Sequence, residues 1–187
     1  MQRHISRRAL IGAALTTIPC LAFAQARETS TREISTRETS TRETWKTYFN
    51  SRFGTSIVYP SRFKPGRPPD NNDGRSFTAD DGAQLAVWGS LNVEERDLPG
   101  LEAFLRENAK EGEKITYRAA GKSWLVLSGT RGDKLFYARY VLSHRNEIEN
   151  AFEVSYPAAL AATYDPIVAR ISKSLKPGRG YQTTGAP

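Results

Sequence analysis

Ser143 and His144 put a hydroxyl beside an imidazole, the minimum for a nucleophilic site. Adjacent residues of a strand point to opposite faces, and His144-Arg145-Asn146-Glu147 reads as a hairpin turn, so the pair is expected to be a solvated turn and not a dyad. Asp70-Asn71-Asn72-Asp73-Gly74 gathers oxygens on a tight turn, as calcium requires. It lacks the Asp-x-Asp-x-Asp-Gly spacing, and Asp80 stands where the bidentate Glu belongs, so it reads as a plain turn. Glu94, Glu95 and Asp97 offer paired carboxylates of the kind glycoside hydrolysis uses, yet they precede a helix start, where the dipole stabilises acids anyway. Arg62, Lys64, Arg67 and Arg75 cluster around a long loop and are the candidates for holding an anionic partner such as a polysaccharide or a lipid headgroup. Gly178-Arg179-Gly180 follows the last helix and precedes none, which rules out a phosphate cradle. No catalytic residue, cofactor-binding residue or metal ligand is assigned from the sequence, and no cofactor is expected.

These residues sit between short periodic segments. Strands are expected at 45–49, 56–59, 75–79, 84–91, 115–118, 123–128, 134–142 and 151–156, with a Pro/Gly/Asn/Asp loop over 61–74 and a hairpin loop over 129–133. Asp97 can cap a helix running to about Lys110 with Pro99 in its first turn, and Asp165-Pro166 is a helix start whose Ile167, Val168, Ile171 and Leu175 share one face. Strand 123–128 carries Trp124 and Val126 on one side and Leu125 and Leu127 on the other. Strand 84–91 likewise sets Leu85 and Val87 against Ala86 and Trp88. Two apolar faces require cover on both. The expected fold class is therefore α+β: an antiparallel sheet of five to seven strands with helices on both faces, an α/β/α sandwich.

Residues 1–26 have the three parts of a cleavable secretory signal: Arg3, Arg7 and Arg8, an uncharged apolar run from Ala9 to Ala24, and small residues at Ala22, Ala24 and Ala26. Gly12, Thr16, Thr17 and Pro19 break the run, which argues against a membrane span. Cleavage is expected near Gln25 or Arg27. Ser6-Arg7-Arg8-Ala9-Leu10-Ile11 is similar to a twin-arginine signal, and the sequence leaves that route and the Sec route open; Pro19 before Cys20 makes a poor lipidation site. Residues 27–44 repeat RETST-REIST-RETST-RET. Its Glu-to-Arg i,i+4 pairs supply about 1 kcal/mol of helix stability, which the Ser and Thr residues at about 0.5 kcal/mol each outweigh, so a disordered linker is expected. One globular domain follows over 45–178, with a flexible tail over 179–187.

The chain has one Cys, one Met and two His, and Cys20, Met1 and His4 all lie in the leader. The mature chain thus has no disulfide, no thiolate metal site and a single histidine. Of the formal net charge of +7, three units lie on Arg3, Arg7 and Arg8, which leaves +4 after cleavage. No basic stripe with interleaved aromatics points to nucleic acid.

The opening Trp45-x-x-Tyr48-x-Asn50-x-Arg52-Phe53-Gly54-x-x-Ile57-x-Tyr59-Pro60, the middle strands, and the closing Tyr164-Asp165-Pro166-Ile167-Val168 with Ser174-Leu175 resemble a group of exported bacterial proteins of uncharacterised function. Their layout is similar to the PsbP-like fold, which is shared with a Ran-binding protein family. The resemblance covers most of 45–178 and implies an accessory or binding protein without catalytic activity. No photosystem-binding or Ran-binding residue matches position by position. The expectation is a periplasmic or secreted binding module whose partner is an unknown protein or an envelope polymer, with no nucleic acid and no membrane span in the mature chain. The alternative is a carboxylate-dependent cell-envelope hydrolase.

Overall fold

The computed structural model describes residues 43–178. The signal peptide, residues 27–42 of the repeat linker and the tail from 179 lie outside the described residues. The chain runs β1 (Trp45–Phe49), β2 (Ser56–Pro60), β3 (Lys64–Pro65), β4 (Gly74–Thr78), β5 (Gln84–Leu91), α1 (Leu98–Glu107), β6 (Glu113–Ala120), β7 (Trp124–Arg131), β8 (Lys134–Ser143), β9 (Ile148–Pro157) and α2 (Ala161–Ser174). Strands β1 and β2 pair as a separate ribbon, and the other seven form one antiparallel sheet in the order β3-β4-β5-β9-β8-β7-β6. The last strand in sequence therefore lies in the middle, between β5 and β8.

Strand residues alternate between two apolar clusters. Leu85, Val87, Phe152, Val154 and Tyr156 join Ile57 and Tyr59 of β2 and Tyr164, Ile167, Val168 and Ile171 of α2. Leu125, Leu127, Ala138, Tyr140 and Ala151 join Leu101 of α1, with Trp88 and Leu105 half-buried beside them. Asp97 caps α1 by accepting the Gly100 amide at 2.8 Å, as its side chain type requires. An Asn side chain welds the layers at one end of the sheet: buried Asn150 accepts from Thr55 Oγ1 at 2.7 Å and from the Gly178 amide at 3.1 Å, and donates to Ser143 Oγ at 2.9 Å.

Several local expectations change. The loop over 61–74 contains the two-residue β3, paired to β4. The expected loop over 129–133 shrinks to the turn Gly132-Asp133, because β7 and β8 stay paired out to Arg131 and Lys134, with Gly132 at φ 62. Helix α2 starts at Ala161, after a 3-10 turn over Ala158–Leu160, and holds Pro166 inside it. Pro166 cannot donate to the Ala162 carbonyl, but both residues are exposed and water can serve. What fixes the turn before it is Tyr164, which is fully buried, stacks on Tyr156 at 4.9 Å and donates to Asp81 at 2.7 Å.

Cover is partial on each side of the strands. Beside Trp88, the residues Ser76, Thr78 and Gln84 that share its side of β4 and β5 are exposed, and Ala86 is half-buried. On the side where α2 packs, Tyr117 of β6 is 56% exposed and Trp124 and Ser128 of β7 are half-buried.

A pair of glycines tests how tightly β6 and β7 are joined. A Cβ on Gly129 would lie 1.9 Å from the Lys114 carbonyl oxygen, whereas Gly132 has open space and only an unfavourable φ. Gly129→Ala is expected to destabilise the domain by about 2–3 kcal/mol through overpacking, and Gly132→Ala by about 1 kcal/mol through the left-handed backbone. Urea unfolding of both variants, ranked against the parent, checks this order.

Candidate functional site

The residues singled out in the sequence do not converge. Arg62 binds Glu43 through Nε and Nη2 at 2.5 and 2.8 Å and lies 5.7 Å from the Tyr164 ring. Lys64 meets both oxygens of Asp80 at 2.7 Å. These two share a cleft of about 560 Å³ with Glu43, Asp80 and Asp81. Arg67 lies 3.6 Å from Asp70, and Arg75 donates to the Gly66 carbonyl at 2.8 Å; both line a second cleft, of about 270 Å³, beside Trp88. Of the acids, Asp97 caps α1, Glu94 pairs with Arg96, and Glu95 lines a third cleft with Leu91, Val93 and Arg145. Asn71 and Asp73 bond to each other at 2.6 Å within their turn.

The Ser143–His144 pair departs from expectation. The two side chains are not opposed: Nδ1 of His144 lies 3.2 Å from Ser143 Oγ. β8 ends at Ser143, and His144 is left-handed at φ 52, which folds the ring back toward its neighbour. His144 is nonetheless exposed, as expected of a turn.

A site that sequence reasoning missed lies on the sheet side where α2 packs. Asp165, Val168, Ala169, Ser172 and Lys173 recur at helical spacing along one flank of α2. With Ser128, Tyr137 and Tyr156 of the sheet they line a groove of about 410 Å³. The pairing Tyr117–Ser128–Tyr137 continues its floor to the outer strand β6. Tyr137 Oη and Ser172 Oγ are 2.9 Å apart, and Ser128 Oγ donates to the Phe136 carbonyl at 2.7 Å, which leaves its lone pairs to accept. Burial and the hydrogen bond to Asp165 push Tyr156 up to about 12, so its hydroxyl stays a donor.

Arg139 stands two residues beyond Tyr137 on the same side of β8. Its Nη1 donates to the Ser172 carbonyl at 2.7 Å, in the last turn of α2, and its guanidinium lies 5.3 Å from the Trp124 ring. Its Nε is buried with no acceptor. Among the described residues no carboxylate pairs with Arg139. A guanidinium remains charged at any pH a protein survives. The only sequence signal was a lone Arg in an otherwise apolar and aromatic strand, LFYARYVL.

The acids of these strands sit on the opposite alternation. Glu113 and Glu153 bind Arg131 at 2.6 and 2.9 Å, and Lys110 reaches Glu153 at 3.0 Å. Burial works to raise Glu153, but its bonds from Arg131 and Lys110 outweigh that and hold it below the usual carboxylate range. Glu149 goes the other way: burial raises it, and the Trp88 indole bond at 3.3 Å and the charge of Arg96 do not offset the loss of water.

No protein-family model matches the chain, and no curated protein matches its sequence. Solved structures do match. CyanoP, the PsbP of the cyanobacterium Synechocystis, superimposes with a TM-score of 0.55 at 14% identity, over 71% of this chain and 92% of CyanoP. The fold is PsbP-like. The Saccharomyces cerevisiae Ran-binding protein Mog1p shares it at a TM-score of 0.50 and 9% identity, over 72% of this chain and 95% of Mog1p. A Mog1 mutant gives the same TM-score at 8% identity. No helix among the described residues of this PsbP-like domain is long and apolar enough to cross a membrane.

The two buried glutamates predict opposite pH behaviour. Glu149 titrates higher folded than unfolded, so it withdraws stability as pH rises from the unfolded value through the folded one. Glu149→Gln keeps an acceptor for Trp88 and is expected to raise the melting temperature at pH 7, with the gain vanishing on acidification. Glu153 titrates lower folded than unfolded, so its contribution is present above the unfolded value and lost as pH falls through the folded one. Glu153→Gln is expected to lower the melting temperature at pH 7, with the deficit shrinking in acid. Melts between about pH 4 and pH 8 check both signs.

Proposed function

We propose that the chain is an exported, non-catalytic binding or accessory module that seats an anionic partner in the groove beside α2. The observation that carries this is Arg139: a half-buried permanent cation, braced by Trp124 and the end of α2, with no carboxylate of its own. Holding such a charge partly out of water is unfavourable until an anion meets it. Arg139 is not itself in the lining of the groove but borders it through its bond to Ser172, and Lys173 lies exposed in the lining. The groove is mixed in character, with Val168 and Ala169 beside hydroxyls, which suits binding more than turnover.

The leader supports export, and periplasmic or secreted location follows from it. The alternation between the two apolar clusters supports a three-layer arrangement, with α1 over one face of the sheet and α2 with the β1–β2 ribbon over the other. Mog1p is described as a Ran-binding protein, and that precedent favours recognition of a partner as the use of this fold here. The partner class is an exported protein or an envelope polymer.

Retention of the secreted mature chain on a sulfated polysaccharide column tests the site. Arg139→Gln is expected to elute at clearly lower salt than the parent, Arg139→Lys between them, and Arg67→Gln with the parent. Circular-dichroism melts establish that each variant is folded. Equal elution of the parent and Arg139→Gln rejects the groove. A shift on Arg67→Gln alone moves the anion site to the 61–75 loop. The N-terminal sequence of the exported chain is expected to begin at Gln25 or Arg27, and recovery of an uncleaved, cytoplasmic chain rejects export.

A further inference from the structure

Taking the α2-side groove as the binding site, we infer that its ligand is a carboxylate-bearing sugar chain, lying across β7 between α2 and the open edge at β6. The charge asks for an acid. A guanidinium is a planar fork of donors that matches a carboxylate, and Nη1 already holds Ser172 while Nη2 makes no bond within the described chain. Lys173 on the α2 wall is offset by Asp165 at the Tyr156 end of the same wall, and Lys114, on the same side of β6, adds positive charge toward the open edge.

The rest of the groove asks for a hydroxylated polymer and not a peptide. A peptide laid in a groove must satisfy its own backbone amides and carbonyls. It does so by adding to a sheet edge or by finding unpaired polar groups. The floor of the groove is β7 and β8, whose backbone groups are spent on the strands at either side, and the pairing a peptide needs is offered at the outer edge of β6, beyond the groove lining. What lines the groove is side chain: Ser128 Oγ, whose proton goes to the Phe136 carbonyl, can accept, and the bonded Tyr137–Ser172 hydroxyl pair keeps one proton to donate, which a sugar hydroxyl can match on both counts. Aromatic surface bounds the path. Tyr117 is 56% exposed in the row of Ser128, and Trp124 lies further along β7 on the same side. At about 3.4 Å per residue, four residues of β7 set these rings about 14 Å apart along the strand, with the Arg139 row between them. Rings so placed offer flat apolar platforms for sugar faces at either side of a central carboxylate contact.

Titration calorimetry with an oligogalacturonate, its methyl ester and an oligoglutamate tests this on the mature chain. The oligogalacturonate is expected to bind, with affinity reduced about tenfold or more by methyl esterification and by Arg139→Gln, in line with loss of a charged hydrogen bond. Tyr117→Ala, an exposed change that leaves the core intact, is expected to weaken it as well. Binding of oligoglutamate through Arg139 with no binding of oligogalacturonate overturns the sugar assignment and leaves the anionic groove standing. Binding of the ester as tightly as the acid, or oligogalacturonate binding indifferent to both variants, also overturns it. Failure of both acids to bind removes the groove as an anion site altogether.

Discussion

Two helices cannot roof seven strands on both sides. At about 4.8 Å between strands the sheet is about 29 Å wide, while a helix is about 10 Å across and shields roughly two strands. Helix α1 packs on β7 and β8 through Leu101, and α2 sits over β8 and β9 beside the β1–β2 ribbon. What remains is open strand surface: around Trp88, Ser76 and Gln84 near one edge, and around Tyr117, Ser128 and Trp124 near the other. The groove exists because of this shortfall, and its walls are as rigid as the helix and sheet that make them.

Charge follows the same geometry. The acids of β6 and β9 alternate onto the side of Leu127 and Ala138, where Arg131, Lys110, Arg106 and Arg118 meet Glu113, Glu153 and Glu102. The other alternation keeps Arg139 without an acid. Its internal compensation is the carbonyl of Ser172, which carries part of the negative end of the α2 dipole. That holds the side chain in place without neutralising its charge.

The far end of the sheet shows where the fold stores strain instead. His144, Arg145 and Asn146 are all left-handed, as is Glu95 across from them. Asn92 pins both segments by donating to the carbonyls of Arg96 and Asn146 and accepting from the Arg96 amide. Asn150 ties the neighbouring Ser143 to Thr55 and Gly178. Both asparagines are structural hubs. CyanoP and Mog1p share this architecture at 14% and 9% identity, so the fold constrains the scaffold and leaves the function to whichever groove a given sequence fills with chemistry.

The strands, the antiparallel sheet and the cap at Asp97 were legible because they depend on periodicity and on local side-chain bonding, which residues within a few positions decide. The two-sided apolar pattern of 84–91 and 123–128 also announced a sheet with contacts on both sides. The start of α2 was not legible, because Tyr164 overrides the punctuation of Pro166 by burying itself against Tyr156 and Asp81, whose positions only the assembled sheet supplies. The basic residues of 61–75 stood out by their proximity in sequence, and the tertiary structure gave each one an oxygen of its own. Arg139 was invisible for the converse reason. A lone arginine in a strand has no pattern around it, and its want of a partner is settled by strand order and helix placement, which bring Trp124 and Ser172 to it and carry every strand glutamate of β6 and β9 to the other side.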